Sequence, residues 1–328
     1  MFCIAHCKIS HCLPKIPPRN SIKGFSLYLT ILCTNSLLKI SNFERKVKYL
    51  FHRWLLKFVK MKFEALFIDL DGTLLTDHHT ISTGTKEVLE KLYNTGVLIC
   101  IVTARSPVAS LPFYEQLGIP NNPIVCFNGA LIQKANLIMH DVVIKKILAM
   151  ELVTALNRFK ITPSLYKHNQ WFAGLNNEWL AREEEITKAP LTKVVFNELF
   201  ENGIEPNKIM GIGNTENIKA AEAHIKNTWS RDLNVHPSKP TYLEIMNSKA
   251  SKTQGIQKVL ELYKIDRKKI ITIGDNYNDM DMLRFSKTSI AMGNAPDEVK
   301  KCATFVTDTN NNDGIKKALV RIMDNQKC

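Results

Sequence analysis

The chain has 328 residues, 45% of them hydrophobic, with 44 Lys/Arg against 31 Asp/Glu and a formal charge of +13. That length and apolar content suit one large or two moderate domains with real cores, and they argue against a low-complexity chain. The charge is localised: residues 1–60 hold eleven Lys/Arg and a single acid, Glu44, whereas the remaining 268 residues hold 33 Lys/Arg against 30 Asp/Glu, so the body is not expected to bind nucleic acid.

In chain order, the leader comes first. Its stretch GFSLYLTILCTNSLL follows basic residues and resembles a secretory or signal-anchor segment, yet it is too short and polar for a membrane span. Residues 44–60, ERKVKYLFHRWLLKFVK, read as a basic amphipathic helix, so membrane contact is expected only through residues 1–60. Met61 opens MKFEALFIDLDGTLL like a natural start, which leaves three readings of residues 1–60: an extension without a fold, a targeting leader or a functional arm. Cytoplasmic residence is expected, or the secretory pathway or an organelle if the leader is a targeting signal. Cys3, Cys7, Cys12 and Cys33 lie in the leader, and Cys100, Cys126, Cys302 and Cys328 are scattered through the body. The body cysteines read as free thiols rather than a disulfide framework.

From residue 61 strands and helices alternate. FEALFIDL reads as a buried strand, STGTKEVLEKLYNTG as a capped helix, VLICIVTA as a strand, PVASLPFYEQLG as a helix and PIVCFNGA as a third strand. Near-continuous apolar strands separated by helices predict an α/β fold with a parallel sheet covered on both faces. Residues 146–245 differ, with more aromatic and polar residues and a loop-like NGIEPNKIMGIGNTEN, and are expected to form an inserted α/β module. The expected organisation is a leader at 1–60, a core at 61–145 and 246–328, and the insertion between them, with hinges near 143–147 and 244–249. The strand–helix rhythm returns in SKTQGIQKVLELY, KIITIGD, DMDMLRFS, TSIAMGNA and DEVKKCA.

Four polar stretches fall at the carboxyl ends of predicted strands or at a helix start, where open parallel sheets bind ligands. They are Asp69-Leu70-Asp71-Gly72-Thr73, Thr103-Ala104-Arg105, Ser251-Lys252 and Gly274-Asp275-Asn276-Tyr277-Asn278-Asp279. Asp69, Asp71 and Asp275 would bring together carboxylates that cannot all stay ionised without a cation, and all-oxygen ligands suit Mg²⁺. Ser251 and Gln254 form a capping pattern, which sets Lys252 at the first helical position, an unfavourable place for a cation unless an anion is near. Thr103 offers a hydroxyl, and Gly72 allows a sharp turn that aims backbone N–H groups at a phosphoryl group. One aspartate then attacks phosphorus and the other exchanges protons with the leaving oxygen and with water; strand-end placement gives Asp69 the first task and Asp71 the second.

The series DLDGTLL, Thr103, Lys252 and GDNYNDMDM, with FNGA and MGNA, resembles the motifs of the haloacid dehalogenase superfamily, in its Cof-type, IIB-capped branch, over about residues 61–328. The resemblance implies a Rossmann-like parallel core with an inserted cap and a Mg²⁺-dependent phosphatase acting on sugar phosphates and other small phosphomonoesters. It implies that Asp69 is the nucleophile and Asp71 the acid and base, and that Thr103 and Lys252 bind phosphate. It also implies that Asp69, Asp275 and the Asp71 backbone carbonyl ligate Mg²⁺ with Asp279 supporting them. Asn128 and Asn278 are implied to contact phosphate or substrate, and Arg105 and Asn294 to lie near the mouth. Ala104 and Thr253 depart from the glycines usual there, and Lys249 rivals Lys252 for the phosphate. A phosphosugar mutase of the same fold and a retired binding module share much of this pattern.

Overall fold

The computed structural model describes residues 62–119, 121–174, 179–181, 184 and 190–324. The expectations for residues 1–60 therefore lie outside the described residues. The strands are β1 (Ala65–Ile68), β2 (Leu98–Val102), β3 (Ile124–Cys126), β4 (Leu131–Lys134), β5 (Leu137–Asp141), β6 (Thr162–Lys167), β7 (Gln170–Ala173), β8 (Leu191–Lys193), β9 (Lys208–Ile212), β10 (Leu233–Lys239), β11 (Tyr242–Asn247), β12 (Ile270–Gly274), β13 (Thr288–Ala291) and β14 (Phe305–Val306). The helices that matter most are α1 (Thr83–Asn94), α2 (Pro107–Leu117), α3 (Lys146–Arg158), α4 (Phe196–Glu201), α5 (Thr215–Thr228), α6 (Lys252–Tyr263), α7 (Met280–Phe285), α8 (Asp297–Lys300) and α9 (Gly314–Asp324).

Among the described residues the strands form two sheets. The first has the order β14-β13-β12-β1-β2-β3-β4-β5 and is parallel from β14 to β3, the class of sheet the apolar runs predict. Alternation along β1 explains the covering of both faces. Ala65 and Phe67 pack with Ile256, Val259 and Leu260 of α6, while Leu66 and Ile68 pack with Val88, Leu89 and Leu92 of α1. Ser82 caps α1 by accepting from the Thr85 N–H, as its position predicts. Beyond β3 the sheet turns antiparallel through the β4–β5 hairpin, an extension the apolar-run reading leaves out because its outer strand is mostly exposed.

The second sheet, β10-β11-β9-β6-β7-β8, lies in sequence between β5 and α6. One face, with Leu165, Ile209, Leu243 and Ile245, packs on α3 and α5 through Leu152, Leu156, Ile218 and Ile225. The other face, with Tyr166, Trp171, Met210 and Met246, joins the cluster of the first sheet. Two sequence expectations change here. The segment read as loop-like contains β9, the strand joining β6 to β11, because KIMGI is short and its lysine and glycine hide the strand pattern. The expected boundary at 245 falls inside β11, whose pairing with β10 reaches Asn247. Asn247 Nδ2 also donates to the Val143 carbonyl at 3.0 Å, tying the two crossing segments together. Among the described residues Cys100, Cys126 and Cys302 are free thiols, and no helix is long and apolar enough to cross a membrane.

Candidate active site

Because β12, β1, β2 and β3 are parallel neighbours, their carboxyl ends lie side by side, and polar residues follow each of them. Asp69 follows β1, Asp275 follows β12, Thr103 follows β2, and Asn128 stands two residues after β3. The Asp69 N–H donates to the Ile273 carbonyl at 2.9 Å, which fixes the end of β1 against β12. The chain then turns at Gly72, with φ +78°, and a Cβ at that position would sit 2.4 Å from Asp275 Oδ2. Glycine is required there twice, for the backbone angle and for the close approach of the carboxylate.

One oxygen from each of Asp69, Asp275 and Asp279 lies within 4.8 Å of the others. Lys252 reaches this cluster from the start of α6. Ser251 caps that helix through the Gln254 N–H, and Lys252 Nζ donates to Asp69 Oδ1 at 2.5 Å and to Asp279 Oδ1 at 2.6 Å. The helix start is held close by glycine contacts that sequence spacing does not reveal. A Cβ at Gly129, where φ is +102°, would lie 2.1 Å from the Ser251 carbonyl oxygen, and one at Gly255 would lie 2.5 Å from Val125. The rival Lys249 is exposed, and its backbone N–H donates to Asn247 Oδ1.

The electrostatics of the cluster follow from burial. Three carboxylates and one ammonium leave a net charge of about −2 in a site where Lys252 is 1% and Asp279 0% exposed. Burial pushes the Asp69 carboxyl well above the usual carboxylate range; the Asp279 charge adds to this and Lys252 opposes it. Burial also lifts Asp275 to about 6, against the hydrogen bond from Thr73 and with the charge of Asp279 adding. For Lys252, burial disfavours the ammonium, but Asp279 and Asp69 outweigh it and hold the pKa above the ordinary lysine value. Carboxylates whose protons are held this tightly lack a counter-charge, and a divalent cation supplies it. The residues present fit such an ion. Asp279 spends Oδ1 on Lys252 and Oδ2 on the N–H groups of Asp275 and Asn276, so it braces the site; Asp69 has only Oδ1 on Lys252, and Asp275 holds neutral donors, the Thr73 hydroxyl and the Asn294 amide, so these two carboxylates are the ones that could turn oxygens to a metal.

The other expected residues divide. The Asp71 side chain stands outside the carboxylate cluster, 46% exposed, with both oxygens on the Arg105 guanidinium. This differs from the expectation that three carboxylates from 69, 71 and 275 converge; Asp279 takes the third place because the capped turn after β12 folds it inward. Arg105, expected near substrate, is engaged by Asp71. Asn294, expected at the mouth, is exposed and spends its amide on Gly72, Asp275 and the Asn310 N–H, so it also holds the turn and the carboxylate. Thr103 is buried and its Oγ1 accepts from the Arg105 N–H at 3.1 Å. Asn128 belongs to a run of left-handed residues, Phe127 to Gly129, held by N–H bonds from Phe127 to the Arg105 carbonyl and from Asn128 to the Thr103 carbonyl. Its Oδ1 accepts from Asn278 at 3.3 Å, while its buried Nδ2 has no hydrogen-bond partner and so retains a donor for a ligand.

Sequence reasoning missed Thr73, whose hydroxyl donates to Asp275 Oδ1 at 2.6 Å. It follows the glycine of the first motif directly, which is the signal that marks it. It also missed the wall of the cavity. A cavity of about 700 Å³ runs from Lys252, Asn128 and Ala104 to Asn234, His236 and Glu244 of the second sheet. A smaller one of about 370 Å³ lies by the amino ends of β1 and β2, beside Glu64 and Leu98, at the end of the sheet away from the carboxylates. Glu244 interrupts the apolar strand Tyr-Leu-Glu-Ile-Met, and a charge at an inward position of such a strand is the signal that could have found it.

Comparison with known proteins bears on the family and the fold. The family profile described as haloacid dehalogenase-like hydrolase matches residues 66–319. A Haemophilus influenzae protein, named provisionally as a phosphatase without a stated substrate, is 35% identical over 258 residues, covering 78% of this chain and 96% of its own. The 5-amino-6-(5-phospho-D-ribitylamino)uracil phosphatase YitU of Bacillus subtilis is 29% identical over 259 residues, covering 77% and 94%. Among solved structures, a haloacid dehalogenase-like hydrolase from Bacteroides thetaiotaomicron superposes with a TM-score of 0.73 at 24% identity, covering 79% of this chain and 99% of that one, and thus shares the fold.

Proposed function

From the premise that this chain belongs to the haloacid dehalogenase-like hydrolases and is a phosphatase, we propose that it hydrolyses small phosphomonoesters with Mg²⁺ through an aspartyl-phosphate on Asp69. The observation that carries this is the buried cluster of Asp69, Asp275 and Asp279 around Lys252, with excess negative charge and raised carboxyl pKa values. Asp69, Asp275 and the Asp71 carbonyl would hold Mg²⁺, which would offset that charge and supply Lewis-acid polarisation to a phosphoryl oxygen.

The residues then divide the work. Lys252 orients the Asp69 carboxylate through Oδ1 and offers positive charge to the equatorial phosphoryl oxygens. Thr103 and the unpartnered Asn128 Nδ2 supply hydrogen bonds to the same oxygens. Asp69 attacks phosphorus as the ester P–O bond breaks. The protonated Asp71 gives its proton to the leaving oxygen, and as carboxylate it takes one from the water that hydrolyses the acyl phosphate, which restores both aspartates. For this Asp71 must leave Arg105. An incoming phosphate dianion supplies the alternative partner for the guanidinium, so substrate binding itself frees the acid. The second sheet roofs the cavity and excludes water during the first step.

The deciding experiment is Mg²⁺-dependent phosphate release from p-nitrophenyl phosphate by wild type and Asp69→Asn. Turnover that survives Asp69→Asn, or that is indifferent to chelation of Mg²⁺, refutes the mechanism.

A further inference from the structure

On the face of the second sheet that looks onto the catalytic strands, Lys208 on β9 and Glu244 on β11 are buried charged residues, set among Tyr166, Met210 and Met246 and beside the polar Ser164, Asn234 and His236. Glu244 is 5% exposed and lines the cavity that begins at Lys252. Its Oε1 lies 3.5 Å from Lys208 Nζ, while its Oε2 is buried and has no hydrogen-bond partner. The nearest candidate, His236 Nε2, stands 3.9 Å away, beyond hydrogen-bond range. Burial lowers the His236 pKa, with Glu244 opposing and Lys208 adding, which disfavours an imidazolium partner for Oε2. A buried carboxylate oxygen without a donor costs free energy that an apolar side chain at this strand position would not incur. Pairing with buried Lys208 accounts for Oε1 of Glu244 but leaves Oε2 without a donor.

Lys208 is placed as deliberately. It is 6% exposed, its Nζ is 5.0 Å from the centroid of the Tyr166 ring, and it donates to the Ala104 carbonyl at 3.2 Å. Ala104 follows Thr103 and lines the cavity, so Lys208 ties β9 to the loop expected to hold phosphate.

Resting on the reading that phosphoryl transfer occurs at Asp69, we propose that Glu244, with Lys208, is the specificity pair that reads the leaving group of the ester. An ionised carboxylate only accepts hydrogen bonds and an ammonium only donates them. Neighbouring aliphatic hydroxyls satisfy both, one donating to Oε2 and one accepting from Nζ. The pair thus selects polyhydroxylated leaving groups over aromatic or aliphatic ones, and a site whose buried polar groups are left unpaired rejects the analogue that lacks the hydroxyl.

The test uses the full chain with Mg²⁺, wild type and Glu244→Gln, on p-nitrophenyl phosphate and on a panel of hexose, pentose and polyol phosphates, each paired with its deoxy counterparts. The ratio of kcat/KM for the best hydroxylated ester to that for p-nitrophenyl phosphate is expected to fall roughly 10- to 100-fold in Glu244→Gln. Wild type should discriminate against one deoxy counterpart by a similar factor, and Glu244→Gln should not. A ratio unchanged by the substitution, or deoxy discrimination equal in both proteins, overturns the assignment and leaves an ordered water as the partner of Oε2. If Glu244→Gln does not fold, the absence of any deoxy discrimination by wild type overturns it alone. If no ester is turned over, the phosphatase mechanism fails instead. Calorimetric binding of the hydroxylated panel to Asp69→Asn, with and without Glu244→Gln, then decides the recognition question.

Discussion

Replacing Lys252 by methionine tests the electrostatic account of the site. The substitution keeps the length of the aliphatic stem and removes the ammonium that donates to Asp69 and Asp279. Two carboxylates that are 6% and 0% exposed then lose their counter-ion. Removing one partner of a buried ion pair costs about 3–5 kcal/mol. At about 2–4 °C per kcal/mol for a body of this size, the metal-free melting temperature should fall by about 6–20 °C at pH 8. The pH dependence has a definite sign. Lys252 lowers the Asp69 pKa, so its loss raises that pKa further above an already raised value. As pH falls, Asp69 takes up a proton and needs no counter-ion, so the deficit should be smaller at pH 5.5 than at pH 8. Thermal unfolding in EDTA at the two pH values measures this. A deficit below about 2 °C, or one equal at both pH values, would refute the cluster as described. Turnover of p-nitrophenyl phosphate by Lys252→Met should fall by about 100-fold or more.

Other substitutions probe the neighbours. Asp275, with its folded pKa raised to about 6, stabilises the metal-free fold below the unfolded carboxylate range and loses that contribution as pH rises through about 6. The stability difference between wild type and Asp275→Asn should therefore change over that window in EDTA, and a flat difference would contradict it. Gly72→Ala places a methyl 2.4 Å from Asp275 Oδ2 at φ +78°; activity should drop at least tenfold with a raised Mg²⁺ requirement, read from an Mg²⁺ titration of the rate. Thr73→Val removes the 2.6 Å hydrogen bond to Asp275 and should weaken apparent Mg²⁺ affinity several-fold with little loss of melting temperature, about 1 kcal/mol or less.

Some of this protein was present in the order of its residues. The apolar runs at 65–68, 98–102 and 270–274 determine buried parallel strands, because a strand covered on both faces has no polar side to show. The acids directly after them, Asp69 and Asp275, stand at the strand ends by chain connectivity alone. Ser251 fixes where α6 begins, and so which lysine points down the helix start. The rest depended on contacts between segments far apart in the chain. Asp279 displaced Asp71 from the carboxylate cluster because the turn after β12 spends its N–H groups on Asp279, while Arg105, 34 residues away in sequence, draws Asp71 outward. Asn294 was tied to the Gly72 carbonyl and to Asp275, and β9 was hidden in a stretch that reads as loop until β6 and β11 supply its partners. A lysine and a glutamate on separate strands, Lys208 and Glu244, carry no joint signal in one dimension. Only the antiparallel pairing of β9 and β11 brings them to the same face, where burial turns two ordinary charges into a costly and therefore informative pair.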